Sequence, residues 1–155
     1  MKKAAFILVM SILVFVLGAQ TGFFDLNYGD SFDVCDETLY YSDFEYVGLY
    51  NNTHIYYPYE ESDYEFSVDE IKLYFENGED ELTGWAILYY PSYTDDIGKF
   101  VVDGLKKLHG ENCVYHEKED YYTWEFGNRR FMEAGFTSDH SRFYVEYRTM
   151  YELEE

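Results

Sequence analysis

The feature that most constrains the fold of this chain is its high aromatic content combined with a strong negative charge. The 155 residues include 19 Tyr, 13 Phe and 2 Trp, and the net charge is −20. High charge alone favours disorder, but disordered chains are poor in aromatic residues, so this chain must fold. Tyrosine is amphipathic and favours half-buried strand positions. Because Ala is also rare beyond the first 20 residues, the composition predicts a sheet and not a helical bundle.

The first 19 residues predict a secretory signal peptide. Lys2 and Lys3 form a basic start, Ala4 to Leu17 is apolar apart from one serine, and Gly18 and Ala19 are small residues suited to cleavage. The apolar run is short for a membrane span and no second run follows, so we expect no stable membrane insertion after the leader is removed. The expectation is a secreted or periplasmic protein. No cysteine directly follows the leader, so a lipid anchor is not expected.

The charge narrows the classes of partner. A net charge of −20 repels phosphate backbones, so we expect no nucleic-acid binding. An anionic bilayer surface is disfavoured for the same reason. A cationic patch on a protein, or a divalent cation, would be attracted. The simpler interpretation is that the charge only keeps an exported protein soluble.

The two cysteines, Cys35 and Cys113, predict one disulfide. An even number of cysteines in an exported protein points to pairing, and only one intrachain pairing exists. The alternative is two buried thiols, since free cysteine is commonly buried.

Hydrophobic periodicity predicts helices and strands in the order helix, strands, helix, strands. Residues 82–90 are apolar on both faces, so we expect a central strand there. The predicted elements are a helix over 31–41, strands over 44–50 and 54–59, strands over 71–76 and 82–90 joined at Asn77-Gly78, a helix over 97–108, and strands over 112–117, 121–126, 129–136 and 141–150.

The predicted fold class is α+β. We expect two helix-plus-antiparallel-meander units, with the helices packed on one face of a mostly antiparallel sheet. Residues 20–155 would form a single compact domain. The spacing of the two helix starts favours a tandem repeat of 25–90 and 91–151, although alternating strands also match one another by chance.

The predicted helix that opens with Gly29-Asp30-Ser31, followed by an antiparallel meander, resembles the small exported α/β units of the BamE (SmpA/OmlA) type. Two such units in tandem, acidic and rich in tyrosine, resemble the β-lactamase inhibitor protein. The resemblance covers most of residues 25–150 and is one of pattern. It implies that the helices cover one sheet face and that the other face binds a protein. The chain departs from these families in lacking a lipidated cysteine after the leader and in having one cysteine in each half.

No motif in the chain predicts catalysis or a cofactor. His109, Glu111, Cys113 and His116 are suitable zinc ligands within eight residues. The stretch crosses from a helix end into a strand, however, and Cys113 has a better use with Cys35, so we expect no metal site. A nucleotide-binding loop, a serine nucleophile elbow and a His-Glu-x-x-His helix are all missing from the sequence. The expectation is a protein that is not an enzyme and carries no cofactor.

Strand alternation predicts which side chains face away from the helices. Lys72, Tyr74, Tyr144, Glu146 and Arg148 should face outward, because the residues between them are apolar. The same rule places Tyr121, Thr123 and Glu125 outward. Tyrosine and arginine are frequent in interface hot spots, so the candidate binding face consists of Tyr74, Tyr121, Tyr144 and Arg148. A register slip of one residue would exchange the two faces.

These features predict an exported, non-enzymatic binding module that docks a protein partner through the tyrosine-rich sheet face. The alternative is an aromatic-lined domain that binds a glycan or small molecule, with Trp85 and Trp124 stacking on sugar rings. A third interpretation is a small hydrolase built on His109 and His116.

Overall fold

The computed structural model describes residues 23–59, 68–76, 78, 80–90 and 97–149, and the predicted signal peptide at 1–19 lies outside them. A short 3-10 helix at Phe23–Asp25 precedes two α-helices and eight strands in this part of the chain. The helices are α1 (Phe32–Tyr40) and α2 (Ile97–His109). The strands are β1 (Phe44–Tyr50), β2 (Thr53–Pro58), β3 (Val68–Glu76), β4 (Glu81–Tyr89), β5 (Val114–His116), β6 (Tyr121–Gly127), β7 (Arg130–Phe136) and β8 (Phe143–Thr149).

All eight strands form one antiparallel sheet with the order β1-β2-β3-β4-β8-β7-β6-β5. Consecutive strands pair as hairpins, except that β4 pairs with β8 in the middle of the sheet. Trp85 lies opposite Tyr147, and Ile87 lies opposite Val145. The predicted central position of residues 82–90 is therefore confirmed, because a strand that is apolar on both faces needs neighbours on both edges.

The predicted architecture of two helix-plus-meander units is wrong. The fold is dominated by its sheet, with eight strands and only two α-helices among the described residues. The cause is the apolar character of β4, which pairs along its second edge with β8 and so merges all strands into one sheet. The tandem repeat of 25–90 and 91–151 stays a prediction.

The start of α1 is attached to β4 by backbone hydrogen bonds. The Leu82 amide donates to the Asp30 carbonyl oxygen at 2.8 Å, and the Gly29 amide donates to the Leu82 carbonyl oxygen at 2.9 Å. Ser31 occupies the position before the helix but its side chain makes no capping bond. The Asp30 carboxylate instead accepts a hydrogen bond from the Asn27 amide at 3.0 Å. The turn before the helix, and not a serine cap, fixes where α1 begins.

The core lies between the helices and one face of the sheet. Trp85 stacks on Tyr147 with ring centroids 4.4 Å apart, and both side chains are buried. Large stacked aromatic pairs of this kind contribute beyond the area they bury. The other fully or nearly buried members come from both helices and from β2, β3, β4, β6, β7 and β8, and include Cys35, Leu39, Tyr56, Ile71, Leu73, Ile87, Ile97, Val101, Leu105, Trp124, Met132, Ala134, Phe143 and Val145.

The predicted disulfide is also wrong, because both cysteines are free. Cys35 is fully buried on α1 within the core, whereas Cys113 follows α2 and is only partly buried against that core. Burial, together with the nearby carboxylates of Asp30 and Asp36, raises the pKa of the Cys35 thiol to about 12. The thiol is held in its protonated, unreactive form, which is the behaviour of a small core residue.

We expect a thiol reagent to distinguish the two cysteines. In the native protein without reductant, Cys113 should react much faster than Cys35, because only the thiolate is nucleophilic and Cys35 is shielded from solvent. After denaturation without reductant, two thiols should be counted per chain. Colorimetric thiol counting and mass spectrometry of the labelled peptides measure both quantities, and a count of zero would show that the disulfide exists.

Candidate protein-binding face

The four predicted binding residues lie on the same face of the sheet, opposite the core. Tyr74 is on β3, Tyr121 on β6, and Tyr144 and Arg148 are on β8. Their neighbours along each strand, such as Leu73, are buried on the other face. We call this surface the outer face, and its central members are Lys72, Tyr74, Gly84, Ala86, Leu88, Tyr121, Thr123, Glu125, Glu133, Gly135, Tyr144, Glu146 and Arg148.

Two glycines bring the tyrosine side chains close to the sheet. A Cβ atom at Gly84 would lie 2.6 Å from the Tyr147 carbonyl oxygen and 3.3 Å from the Tyr74 ring. A Cβ atom at Gly135 would lie 2.6 Å from the Cβ of Tyr121. Any larger residue at either position would displace its neighbours, so these glycines fix where the two side chains sit.

A charged cluster anchors one end of the outer face. The Arg148 guanidinium donates a hydrogen bond to the Glu146 carboxylate. Burial, followed by the charge of the Glu146 carboxylate, raises the pKa of Tyr74. The Tyr74 hydroxyl therefore stays protonated beside that carboxylate. The Glu146 side chain is 14% exposed, whereas that of Arg148 is 49% exposed and reaches solvent.

The other end of the outer face carries two further tyrosines. Tyr121 stacks on His116 with centroids 4.4 Å apart and an interplanar angle of 13°. Tyr144 lies across Gly135 from Tyr121, because both residues pair with that glycine. Burial, with the carboxylates of Glu133 and Glu146, raises the pKa of Tyr144. The Tyr144 phenol is therefore neutral at physiological pH.

Glu133 lies at the centre of this face and was missed by sequence reasoning. It pairs directly with Glu146 on β8 and with Thr123 on β6. The turn at Gly127-Asn128 carried the missing information, because a tight hairpin turn fixes the register of the strands that it joins.

Ion pairs lie along one border of the outer face. Arg142 contacts Asp69 and Glu70, each at 3.0 Å, and its guanidinium lies 5.9 Å from the centroid of the Tyr90 ring. Lys72 lies 3.5 Å from Glu70. These contacts tie β3 to the start of β8 and supply Glu70, which is almost buried, with two cations.

The two histidines of the hydrolase interpretation are not brought together. His109 ends α2 on the core side of the sheet, where its Nε2 lies 2.8 Å from the Tyr147 hydroxyl. His116 is on the outer side, with Nε2 3.0 Å from the Thr123 hydroxyl and its ring against Tyr121. A site that used both imidazoles would need them on the same side of the sheet.

A small pocket adjoins His109 on the core side. Its volume is about 300 Å³ including open solvent, and the Arg130 guanidinium lies 4.3 Å from the centroid of the Tyr28 ring at its wall. Burial lowers the pKa of His109 to about 4, so its imidazole is neutral. The lining is Tyr28, His109, Phe126, Gly127, Asn128, Arg130 and Tyr147.

Neither tryptophan is available to a ligand. Trp85 is 0% exposed and Trp124 is 1% exposed. Trp124 donates through its indole nitrogen to the Gly110 carbonyl oxygen at 3.0 Å, which fixes the end of α2 against β6. Both rings are structural parts of the core, so the stacking role predicted for them is wrong.

Three comparisons with known proteins gave no relatives. The chain matches no protein-family model, and neither curated proteins nor solved structures gave a match. Among the described residues, no group of His, Cys, Asp and Glu side chains could hold a metal ion. In the same part of the chain, each helix is too short or too polar to cross a membrane. The resemblance to BamE-type and inhibitor proteins stays a prediction.

The lowered pKa of His109 predicts a pH-dependent loss of stability. The unfolded chain takes up this proton near pH 6.5 and the folded chain only near pH 4, so the stabilisation is complete above pH 6.5 and is lost as the pH falls towards 4. Because the side chain is only partly buried, we expect the loss to be about 1–2 kcal/mol. Urea unfolding of the wild type and of His109→Gln at pH 7 and pH 4.5 measures it.

A matched control is His140→Asn, since His140 is exposed and has a left-handed backbone that asparagine accepts. The difference in unfolding free energy between wild type and His109→Gln should shrink at low pH. The corresponding difference between wild type and His140→Asn should be the same at both pH values. An unchanged difference for His109→Gln would show that its protonation is not linked to folding.

Proposed function

We propose that this protein is an exported, non-enzymatic binding module that docks a protein partner through the outer face of its sheet. The observation that supports this most strongly is the placement of Tyr74, Tyr121, Tyr144 and Arg148 on one face of a continuous sheet, opposite the helices and the core. A broad surface of tyrosines with an arginine has the composition of interface hot spots.

The arrangement of the rings supports binding because the tyrosine side chains would lose little conformational freedom when a partner binds. Tyr74 is packed over Gly84, and Tyr121 is stacked on His116. Side chains that are already held in place contribute to binding without the usual cost of ordering them. Tyrosine has only two side-chain torsions, which reduces that cost further.

The centre of the face also suits a protein partner. Ala86 and Leu88 are 4% and 9% exposed, so neighbouring side chains cover them and form the surface of the face. Lys72 and Glu146 lie directly opposite Ala86 on the two adjacent strands. Half-buried tyrosines beside charged side chains match the aromatic and polar composition of a protein interface.

The glycan-binding alternative has less support. Its predicted platforms, Trp85 and Trp124, are buried, so sugar stacking would fall to exposed tyrosines such as Tyr41 and Tyr57. Tyr41 follows the end of α1, and Tyr57 lies on β2. The pocket beside His109 is on the core side of the sheet and not on the outer face.

The docking proposal predicts that Tyr121→Ala combined with Tyr144→Ala weakens partner capture at least 100-fold, because each side chain should contribute about 2 kcal/mol or more as a hot spot. Wild type, the double variant and a control, Tyr41→Ala, should be compared as baits on extracellular and envelope fractions. The strongest crosslinked protein, identified by mass spectrometry, should then be purified and its affinity measured by calorimetry.

The control bait Tyr41→Ala removes a tyrosine that is 76% exposed at the end of α1, outside the outer face. Its affinity should equal that of the wild type. Melting curves of all baits should agree within a few degrees, so that lost binding cannot be attributed to unfolding. Equal capture by wild type and double variant would contradict the use of this face.

Tyr74→Phe is the suitable change at Tyr74, because alanine there would also remove a partly buried ring.

Tryptophan fluorescence should not respond to sugars. Because Trp85 and Trp124 are both enclosed by protein, titration with a glycan panel should leave their emission maximum and intensity unchanged. A saturable change with one glycan would contradict the burial of the rings in solution and favour the ligand-binding alternative.

A further inference from the structure

We propose that the pocket beside His109 binds the carboxylate group of a small aromatic acid, with Arg130 as its counterion. The inference goes beyond the proposed docking function, because the pocket lies on the core side of the sheet and not on the outer face. It is carried by three observations: the charge of the lining, the fixed positions of the walls, and a buried hydrogen-bond donor beside them.

The first observation is the charge of the lining. The chain has 31 acidic residues against 11 basic ones, yet the seven lining residues include Arg130 and no Asp or Glu. Burial raises the pKa of Tyr28 and lowers that of His109, so both side chains are neutral at pH 7. The charge of the lining is therefore that of Arg130. A pocket of this kind attracts an anion to a chain that elsewhere attracts cations.

The second observation is that the walls are held in place by the fold itself. The Tyr28 hydroxyl donates to the Arg148 carbonyl oxygen at 3.0 Å, and the Arg130 guanidinium lies 4.3 Å from the centroid of the Tyr28 ring. Elsewhere in the lining, His109 Nε2 lies 2.8 Å from the Tyr147 hydroxyl. Because these side chains are already ordered, a ligand would not have to bear the cost of ordering them.

The third observation is a buried donor beside the pocket. The Trp85 indole nitrogen is buried and finds no acceptor among the described residues. Trp85 is outside the lining, but its ring centroid lies 4.9 Å from that of Tyr28 and 4.4 Å from that of Tyr147, and both of these rings line the pocket. A buried donor without an acceptor is costly. An anion would bring acceptor oxygens to this region.

These features favour the carboxylate of an aromatic acid over other anions. Guanidinium and carboxylate are both planar and can form two parallel hydrogen bonds. The rings of Tyr28 and Phe126 offer apolar surface to the rest of the ligand, and the exposed Asn128 amide is a further donor. Phosphate carries more negative charge, which the net charge of −20 repels more strongly. The volume of about 300 Å³, including open solvent, restricts the ligand to a small molecule.

The probe for the site is benzoate, with benzamide as its uncharged counterpart of similar shape. NMR titration at pH 7 should show saturable shifts of the His109 and Tyr147 ring resonances with benzoate and not with benzamide. The exposed His140, which lies outside the lining, should not respond. Bound benzoate should also raise the pKa of His109, because a neighbouring negative charge favours the imidazolium form.

The critical variant is Arg130→Gln, which removes the positive charge and should weaken benzoate binding roughly 10-fold or more. The matched control is Lys118→Gln, which removes one positive charge from an exposed turn before β6, whereas Phe126 and Gly127 of the pocket lie at the end of that strand. Its affinity for benzoate should equal that of the wild type.

Asn128→Gly is a second variant that leaves the charge unchanged. Asn128 has a left-handed backbone, which glycine accepts, so the turn between β6 and β7 should keep its shape. The loss of the amide donor should weaken benzoate binding about 2- to 5-fold. Melting curves of all variants should be recorded, so that lost binding is not attributed to unfolding.

Four results would overturn the inference. Benzoate could give no saturable shift, benzamide could bind as tightly, inorganic phosphate could bind more tightly, or Arg130→Gln could leave the affinity unchanged. The Tyr121→Ala and Tyr144→Ala double variant should bind benzoate as the wild type does, because its changes lie on the outer face. Failure of docking and failure of the pocket are therefore separate outcomes.

Discussion

The pairing of β4 with β8 is the contact on which the rest of the structure depends. It joins the strands before α2 to those after it, and places Trp85 opposite Tyr147 and Ile87 opposite Val145 in the centre of the core. Without that ladder, the edge of the strongly apolar strand β4 would be exposed. Exposed apolar edges of this kind promote aggregation, and pairing with β8 covers this edge.

The outer face is a consequence of the same pairing. Arg148 and Tyr144 lie on β8, whereas Tyr74 lies on β3, and β4 is the strand that separates them. Gly84 in β4 allows the Tyr74 ring to lie close to the sheet, where the charge of Glu146 on β8 acts on its hydroxyl. Residues of β3 and β8, which are far apart in the chain, therefore form one cluster on this face. The proposed binding function depends on this continuity, because a partner would contact both halves at once.

The sequence predicted the local features of the molecule better than its long-range contacts. Strand alternation placed Tyr74, Tyr121 and Tyr144 on the correct side, since the period of two is a local property of each strand. The merging of all strands into one sheet depends on which edges meet, and alternation carries no such information. The predicted disulfide was wrong because an even number of cysteines suggests pairing only through the expected compartment. It carries no information about the burial of Cys35. Glu133 was missed because its significance lies in a neighbour on another strand.

Hydroxyl-radical footprinting of the tyrosines, with and without the captured partner, tests the central claim most directly. The account predicts that partner binding protects Tyr121 and Tyr144 and leaves Tyr40 and Tyr41, which are exposed near the end of α1, at their free reactivity. Protection of Tyr40 and Tyr41 with unchanged reactivity at Tyr121 and Tyr144 would contradict it. That result would move the binding surface from the outer face of the sheet to the helix end.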